Sequence, residues 1–384
     1  MNHKAKSKRS KKFYFFSTLA ALILIWVLLV VFDQGPVGVL HDSDSDSDPE
    51  LALSRAAEMP GVECVEKVIS VALVEGDKPT YSLVGELCAI GGFDNKTLQV
   101  LVSGAGYGSV YWDFPYQPET YSYMRAALAA GDAVFNFDRL GIGKSDHPFG
   151  MKLDVDTQAY VLAQTINSLT AEQNYDAVVT LGHSFGSVIA LSHALSHPEQ
   201  VAGIVLTGYA HNVNPEFGPA MGQGIEVAAF GGPFVGDIFD PTYLISKPGS
   251  RGNAFYTSAN TDPGVLRTDD LTRQTTAAGE LISMNKYFAD QSLDLEVPVL
   301  MIVGDNDFLV CGGELDCSDH AAIIANETAY YSPAACLEIV VLDDTNHNAN
   351  LHKNAPQTFA LMLDWVARYV GSAGRAASEP CSAS

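Results

Sequence analysis

The sequence predicts an α/β fold, a mainly parallel β-sheet with helices on both faces. Three observations carry this. Short stretches such as "TLQVLVSGAG", "YDAVVTLGHS", "VAGIVLTGY" and "VPVLMIVGDND" are predominantly apolar up to their glycines, the last two continuously so, which suits strands covered on both sides. Segments of helical period alternate with them, among them "LDVDTQAYVLAQTINSLT", "FGSVIALSHALSHPE" and "PQTFALMLDWVARYV". Several strand ends run into glycine loops, the usual strand-to-helix punctuation of such a sheet.

The chain of 384 residues is long enough for one large domain or two smaller ones. Residues 1–12 hold six basic residues (Lys4, Lys6, Lys8, Arg9, Lys11, Lys12) and no acid. Residues 13–32, "FYFFSTLAALILIWVLLVVF", are uncharged and apolar. Twenty helical residues span about 30 Å, enough to cross a bilayer. A cleaved signal peptide has a shorter apolar core, about 7–15 residues, and a small-residue cleavage site. The "DQGPVGVL" that follows is a poor one. The expectation is therefore an uncleaved single-pass transmembrane signal anchor, its basic flank cytoplasmic and everything after residue 33 lumenal or extracellular. Secretion after cleavage is the alternative.

Residues 33–57, containing "HDSDSDSDPE", read as an acidic disordered linker. Alternating Ser and Asp lack the glycine turn and terminal Glu of a calcium loop. Beyond residue 12, 45 acidic residues face 16 basic ones, within a net charge of −23. Such a body repels phosphate backbones, so no nucleic-acid partner is expected. Asn95-Lys96-Thr97 and Asn326-Glu327-Thr328 are N-glycosylation sequons. Six cysteines, an even number, suit an oxidising compartment. Cys64 and Cys88 are equidistant from Gly76, where two strand-like runs turn, so an antiparallel hairpin would set them opposite each other as a disulfide. Cys311, Cys317 and Cys336 cluster later, and two of the three are expected to pair. Cys381 lies in a polar tail, residues 371–384, read as disordered and its thiol as free.

The α/β core is placed at residues 58–210 and 298–370. Between them, residues 211–297 are rich in Gly, Pro and Asn and contain no β-α unit. An unstructured loop that long is improbable in a compact domain, so an inserted cap or lid is expected. Its last helix is read over "DDLTRQTTAAGELISMNKYFAD", starting at Asp269 and Asp270.

Ser184 sits in G-x-S-x-G, with Gly182, His183, Phe185 and Gly186, between a strand and a helix. In that context the pattern is a nucleophile elbow: a tight turn in which neighbouring side chains would clash and the hydroxyl stands clear. The competing reading is a helix N-cap serine. A serine hydroxyl needs a base at neutral pH. Asp305 and Asp307 end one later strand, and His347 and His352 follow the next. The chain order Ser184, Asp307, His347 is that of a triad on this architecture. Asp307 is preferred because it lies further out on its loop, leaving Asp305 to brace the turn. His347 is preferred because it directly follows its strand, leaving His352 to begin the last helix region or line the entrance. The backbone N–H groups of Ala105 and Phe185 are the expected oxyanion donors. Gly104, Gly106 and Gly108 do not fit the dinucleotide fingerprint. His193 and His197 have metal-like spacing but no third ligand, and read as one helix face. Tyr111, Trp112, Phe114, Tyr116, Tyr121 and Tyr123 read as core, with acyl-pocket lining as the alternative.

With the Gly182–Gly186 elbow, the "DRLGIGKSD" loop, the "VGDND" acid turn and the "NH" turn, the chain resembles capped serine hydrolases of the α/β-hydrolase superfamily, esterase- or lipase-like, over roughly residues 65–370. The resemblance implies an eight-stranded, mostly parallel sheet and a Ser-His-Asp triad. Many relatives carry His-Gly at the oxyanion loop where this chain has Ser103-Gly104. The expected function is cleavage of carboxylic esters, small-molecule or lipid, through an acyl-enzyme, with no metal or cofactor. A peptidase, thioesterase, lactonase or perhydrolase would use the same triad. A non-catalytic binding protein on the same fold is the third reading.

Overall fold

The computed structural model describes residues 55–313, 315–372 and 375–377. The basic segment, the apolar anchor, residues 33–54 of the linker and Cys381 lie outside the described residues. No helix among the described residues is long and apolar enough to cross a membrane.

Eight strands form the central sheet: β1 (Val62–Val71), β2 (Tyr81–Ile90), β3 (Thr97–Val102), β4 (Ala133–Asp138), β5 (Ala177–His183), β6 (Gly203–Thr207), β10 (Val299–Gly304) and β11 (Glu338–Leu342). Their spatial order is β1-β2-β4-β3-β5-β6-β10-β11. The β1–β2 and β2–β4 pairs are antiparallel, and every other neighbour is parallel. The resulting α/β-hydrolase fold matches the expected sheet.

The continuous apolar runs exist because the sheet is covered on both faces. Val100 and Val102 enter one apolar cluster, while Leu101 between them enters the other. Along β10, Val299, Met301 and Val303 alternate in the same way with Leu300 and Ile302. A period of two is the pleat of a strand buried on both sides. The helix Phe185–Ser196 is buried nearly all round, so it carries no amphipathic stripe. The outer helix Val155–Glu172 starts where the Asp154 side chain accepts from Thr157 N.

Cys64 pairs with Cys88 in the β1–β2 register and is disulfide-bonded to it. Cys311 is bonded to Cys317, and Cys336 is disulfide-bonded too. The chain is ordered earlier than expected: Ala56 is buried, and its N–H donates to Asp113 Oδ2 at 3.0 Å. The tail is also not wholly irregular, since Gly371–Ser372 pairs with Arg375–Ala376.

The insertion between β6 and β10 differs from its expected form. It holds a three-stranded antiparallel sheet, β7 (Ile225–Val227), β8 (Tyr243–Ser246) and β9 (Thr275–Ala277), beside short helices. The single helix expected from Asp269 does not form. Asp269 and Asp270 instead end the helix Pro263–Leu271, and a new helix begins at Ala278. The adjacent threonines Thr275 and Thr276 favour the strand, and Gln274 N is drawn to Gly106 O at 2.9 Å.

Candidate active site

The elbow is built by exclusion of side chains. A Cβ on Gly182 would lie 2.4 Å from Gly186 O, and one on Gly186 would lie 2.1 Å from Val102 O. With both absent, β5 turns into the helix Phe185–Ser196 within one residue. Ser184 takes φ 53° and ψ −119° there, a conformation non-glycine residues rarely adopt and one that clusters at functional sites. Ser184 N donates to Thr207 O at 2.8 Å, which anchors the turn. Its side chain makes no capping hydrogen bond, contrary to the N-cap reading.

The hydroxyl faces a histidine instead. Ser184 Oγ lies 2.8 Å from His347 Nε2. His347 Nδ1 lies 3.1 and 3.0 Å from the two carboxylate oxygens of Asp307. Asp307 and His347 are buried. The two loops that carry them are tied by Asn346, whose Oδ1 accepts from Phe308 N at 3.0 Å and from His347 N at 2.8 Å. Asp305 braces this turn as expected, its Oδ1 accepting from Thr345 N at 3.2 Å.

Ala105 and Phe185 line one cavity together with Ser184 and His347. Among the described residues, no backbone acceptor takes the N–H of either. The cavity has a volume of about 880 Å³ including its open mouth, and its walls include Phe217, Met221, Leu244, Ile245, Phe255 and Met284. Among the described residues that line it, Arg251 is the one Arg, Lys, Asp or Glu.

Several residues of the site have no local sequence signal. His183 stacks on Tyr111 at 4.1 Å between ring centroids. It also contacts Asn348 Oδ1 through Nε2 at 3.1 Å and Thr207 Oγ1 through Nδ1 at 3.1 Å. Burial, and then the nearby His347, hold His183 well below the usual histidine range, so its ring is neutral. Asn348 Nδ2 in turn donates to Tyr107 Oη at 2.8 Å. His352 neither lines the entrance nor begins a helix. It is buried, donates through Nδ1 to Asn348 O at 2.8 Å and accepts from the cap's Thr257 N at 3.1 Å. Burial lowers it to about 4.

The remaining candidates behave as packing or surface groups. His193 is buried and contacts Gln200 Oε1 at 2.9 Å, with the His197 ring 5.7 Å away on the same helix face. Of the aromatic cluster, Tyr111, Trp112, Phe114, Tyr121 and Tyr123 are buried core, and none of the six lines the cavity. Asn95 is exposed at a left-handed turn, whereas Asn326 is half-buried in the helix His320–Thr328, its amide donating to Glu327 Oε1 at 2.8 Å. A second Ser–His–carboxylate array also exists: Ser292 Oγ lies 2.9 Å from His211 Nε2, and His211 Nδ1 lies 2.7 Å from Glu327 Oε2. All three are buried and none lines the cavity of Ser184. Access to a substrate therefore separates the two arrays, not hydrogen-bond geometry.

Comparison with known proteins agrees with this architecture. A stretch of 85 residues is 36% identical to a 1-acylglycerol-3-phosphate O-acyltransferase of Arabidopsis thaliana, covering 22% of this chain and 20% of that one. Another, of 82 residues, is 37% identical to a proline iminopeptidase of Heyndrickxia coagulans, covering 21% and 27%. The chain thus spans less than a third of either curated relative. A solved hydrolase from Pseudomonas aeruginosa shares the fold, with a TM-score of 0.54 at 17% identity over 80% of this chain and 98% of that one. The profile of the serine aminopeptidase S33 family matches residues 119–332, a stretch that includes Ser184 and Asp307. The chain belongs to that family, within the α/β-hydrolase superfamily.

Proposed function

We propose that the protein is a serine hydrolase that cleaves carboxylic esters with uncharged, apolar acyl groups. The observation that carries this is the 2.8 Å contact of Ser184 Oγ with His347 Nε2 at an apolar cavity without a carboxylate. In this reading His347 takes the hydroxyl proton as Ser184 attacks the ester carbonyl. Asp307, at Nδ1, holds the ring in the tautomer whose Nε2 can accept and offsets the imidazolium charge. The N–H groups of Ala105 and Phe185 receive the oxyanion. His347 then protonates the departing alcohol, and water attacks the acyl-enzyme by the same relay.

The family description and the iminopeptidase relative raise an aminopeptidase reading. Binding a substrate's α-ammonium group calls for a carboxylate in the pocket, because an unpaired buried charge is costly. The walls supply an arginine instead, which favours the ester. A panel of p-nitrophenyl esters of increasing acyl length, run beside aminoacyl p-nitroanilides, tests the choice. Ester turnover without anilide turnover is expected, and the reverse would overturn the ester reading.

We also place the catalytic domain on the non-cytosolic side of a membrane. Residues 1–32 motivate this, and the disulfides Cys64–Cys88 and Cys311–Cys317 accord with an oxidising compartment. Protease protection in sealed microsomes tests it: a domain digested without detergent from the cytosolic face would refute the assignment.

A further inference from the structure

Two arginines grip the glycine loop that runs from Ser103 to Gly106. Arg139, in the loop after β4, donates from Nε to Ser103 O at 3.0 Å and from Nη2 to Gly104 O at 3.1 Å. Its Nη1 is paired with Glu280 Oε1, and both side chains are 1% exposed. Arg251, from the cap, donates from Nη1 to Gly106 O at 2.9 Å and pairs with Asp269. Three carbonyls of one short loop are thus turned toward guanidinium groups.

The Gly104 contact has a direct consequence for catalysis. No cis peptide bond occurs among the described residues, so the Gly104–Ala105 peptide is trans. In a trans peptide the C=O and N–H point in opposite directions. A guanidinium that holds Gly104 O, beside Tyr107 N at 3.3 Å, therefore turns Ala105 N–H away from itself, and Ala105 lines the cavity together with Ser184. Arg139 also sits over the Phe185 ring, 5.1 Å from its centroid, so it contacts one donor residue directly and the other through the Gly104 carbonyl of the shared peptide.

Glu280 fixes the guanidinium. Its Oε1 also accepts from Gln158 Nε2 at 2.7 Å, and its Oε2 from Ala277 N at 3.2 Å. Glu280 lies in the helix Ala278–Ser283, within the insertion between β6 and β10. We propose that Arg139 is a positioning residue for the oxyanion site, and that Glu280 makes the set of the cap a determinant of how well Ala105 N–H meets the transition state. The inference rests on Ser184 being the nucleophile.

The test uses Glu280→Gln and Arg139→Lys in the full chain. Gln keeps the shape of Glu280 but removes its charge, whereas Lys cannot fork onto two carbonyls. Active sites are titrated with a fluorophosphonate, and kcat and KM for p-nitrophenyl butyrate are measured per titrated site. The affinity for a trifluoromethyl ketone, which adds Ser184 and forms an oxyanion, is measured alongside. Removing one oxyanion donor outright costs about 10²–10³ in kcat, so mis-aiming one should cost about 10–10². The expected result is that loss in kcat, an equal loss of ketone affinity, and KM within about threefold of wild type. Two outcomes overturn the proposal: kcat and ketone affinity per titrated site unchanged in either variant, or loss of activity only in step with loss of folded, titratable protein. If the wild-type chain itself is neither labelled nor active on esters, the serine-hydrolase reading has failed instead.

Discussion

His347 Nδ1 lies within 3.1 Å of both carboxylate oxygens of Asp307, and the nearby Asp305 is engaged elsewhere, with Thr345 N. The two acids of one turn therefore have separate work. Asp307→Asn should preserve the fold and lower kcat on p-nitrophenyl butyrate by about 10⁴, because the ring loses its tautomer control. Asp305→Asn should stay within about tenfold of wild type, since it removes a turn brace and not a relay member. The two rate constants, measured side by side, decide the assignment.

The elbow depends on a glycine that admits no substituent. The Cβ of Gly186→Ala would lie 2.1 Å from Val102 O and 2.8 Å from Ser103 O, so β3 and the helix after Ser184 must separate. Overpacking of this kind costs about 1–3 kcal/mol or more. Thermal melting should show a clear fall in Tm or failure to accumulate soluble protein, and an unchanged Tm would contradict the packing described.

Part of the pH dependence of stability follows from His352, one of several buried histidines held below the usual range. Burial lowers it to about 4, against about 6.5 in an unfolded chain. Between those values the unfolded state binds the extra proton, so this contribution is complete above about pH 6.5 and is lost as pH falls toward 4. Asp307, the charged group whose field reaches the ring, opposes the shift without reversing it. Tm should fall on acidification through this window. His352→Gln should melt lower at pH 7.5 but lose less Tm between pH 7 and 4.5. Equal pH slopes in both proteins would exclude the residue as a source.

In the proposed reading the apolar walls hold the acyl chain. Met221→Glu places a carboxylate in the cavity beside Phe217 and Leu244. Its kcat/KM on p-nitrophenyl hexanoate should fall at least about tenfold, as expected for an unpaired charge facing an apolar chain. Titration of Ser184 with a small fluorophosphonate should still reach completion. Undiminished turnover of the hexanoate would show that this cavity does not hold the acyl chain.

The parts legible in the sequence were those with local patterns. The parallel strands show as apolar runs because both faces are buried. The Cys64–Cys88 pair is readable because an antiparallel hairpin fixes register from its turn. Ser184, Asp307 and His347 each follow a strand, so the fold itself brings them to one sheet edge. The cap sheet left no such pattern: β7 and β9 have three residues each, too few to display a period of two. Arg139 and Glu280 are 141 residues apart, and His183 and Asn348 are 165 apart. Contacts of that range have no spacing to recognise, and buried ion pairs of this kind depend on a cap whose path the local sequence does not encode.

The central claim is that Ser184, and not the buried Ser292 with its own histidine and glutamate, is the reactive serine. Fluorophosphonate labelling of the intact protein, followed by peptide mass spectrometry, tests it most directly. The account predicts a single phosphonylated serine at Ser184, with labelling abolished in Ser184→Ala and strongly slowed in His347→Ala. No adduct, or an adduct at Ser292 or another serine that survives Ser184→Ala, would contradict it.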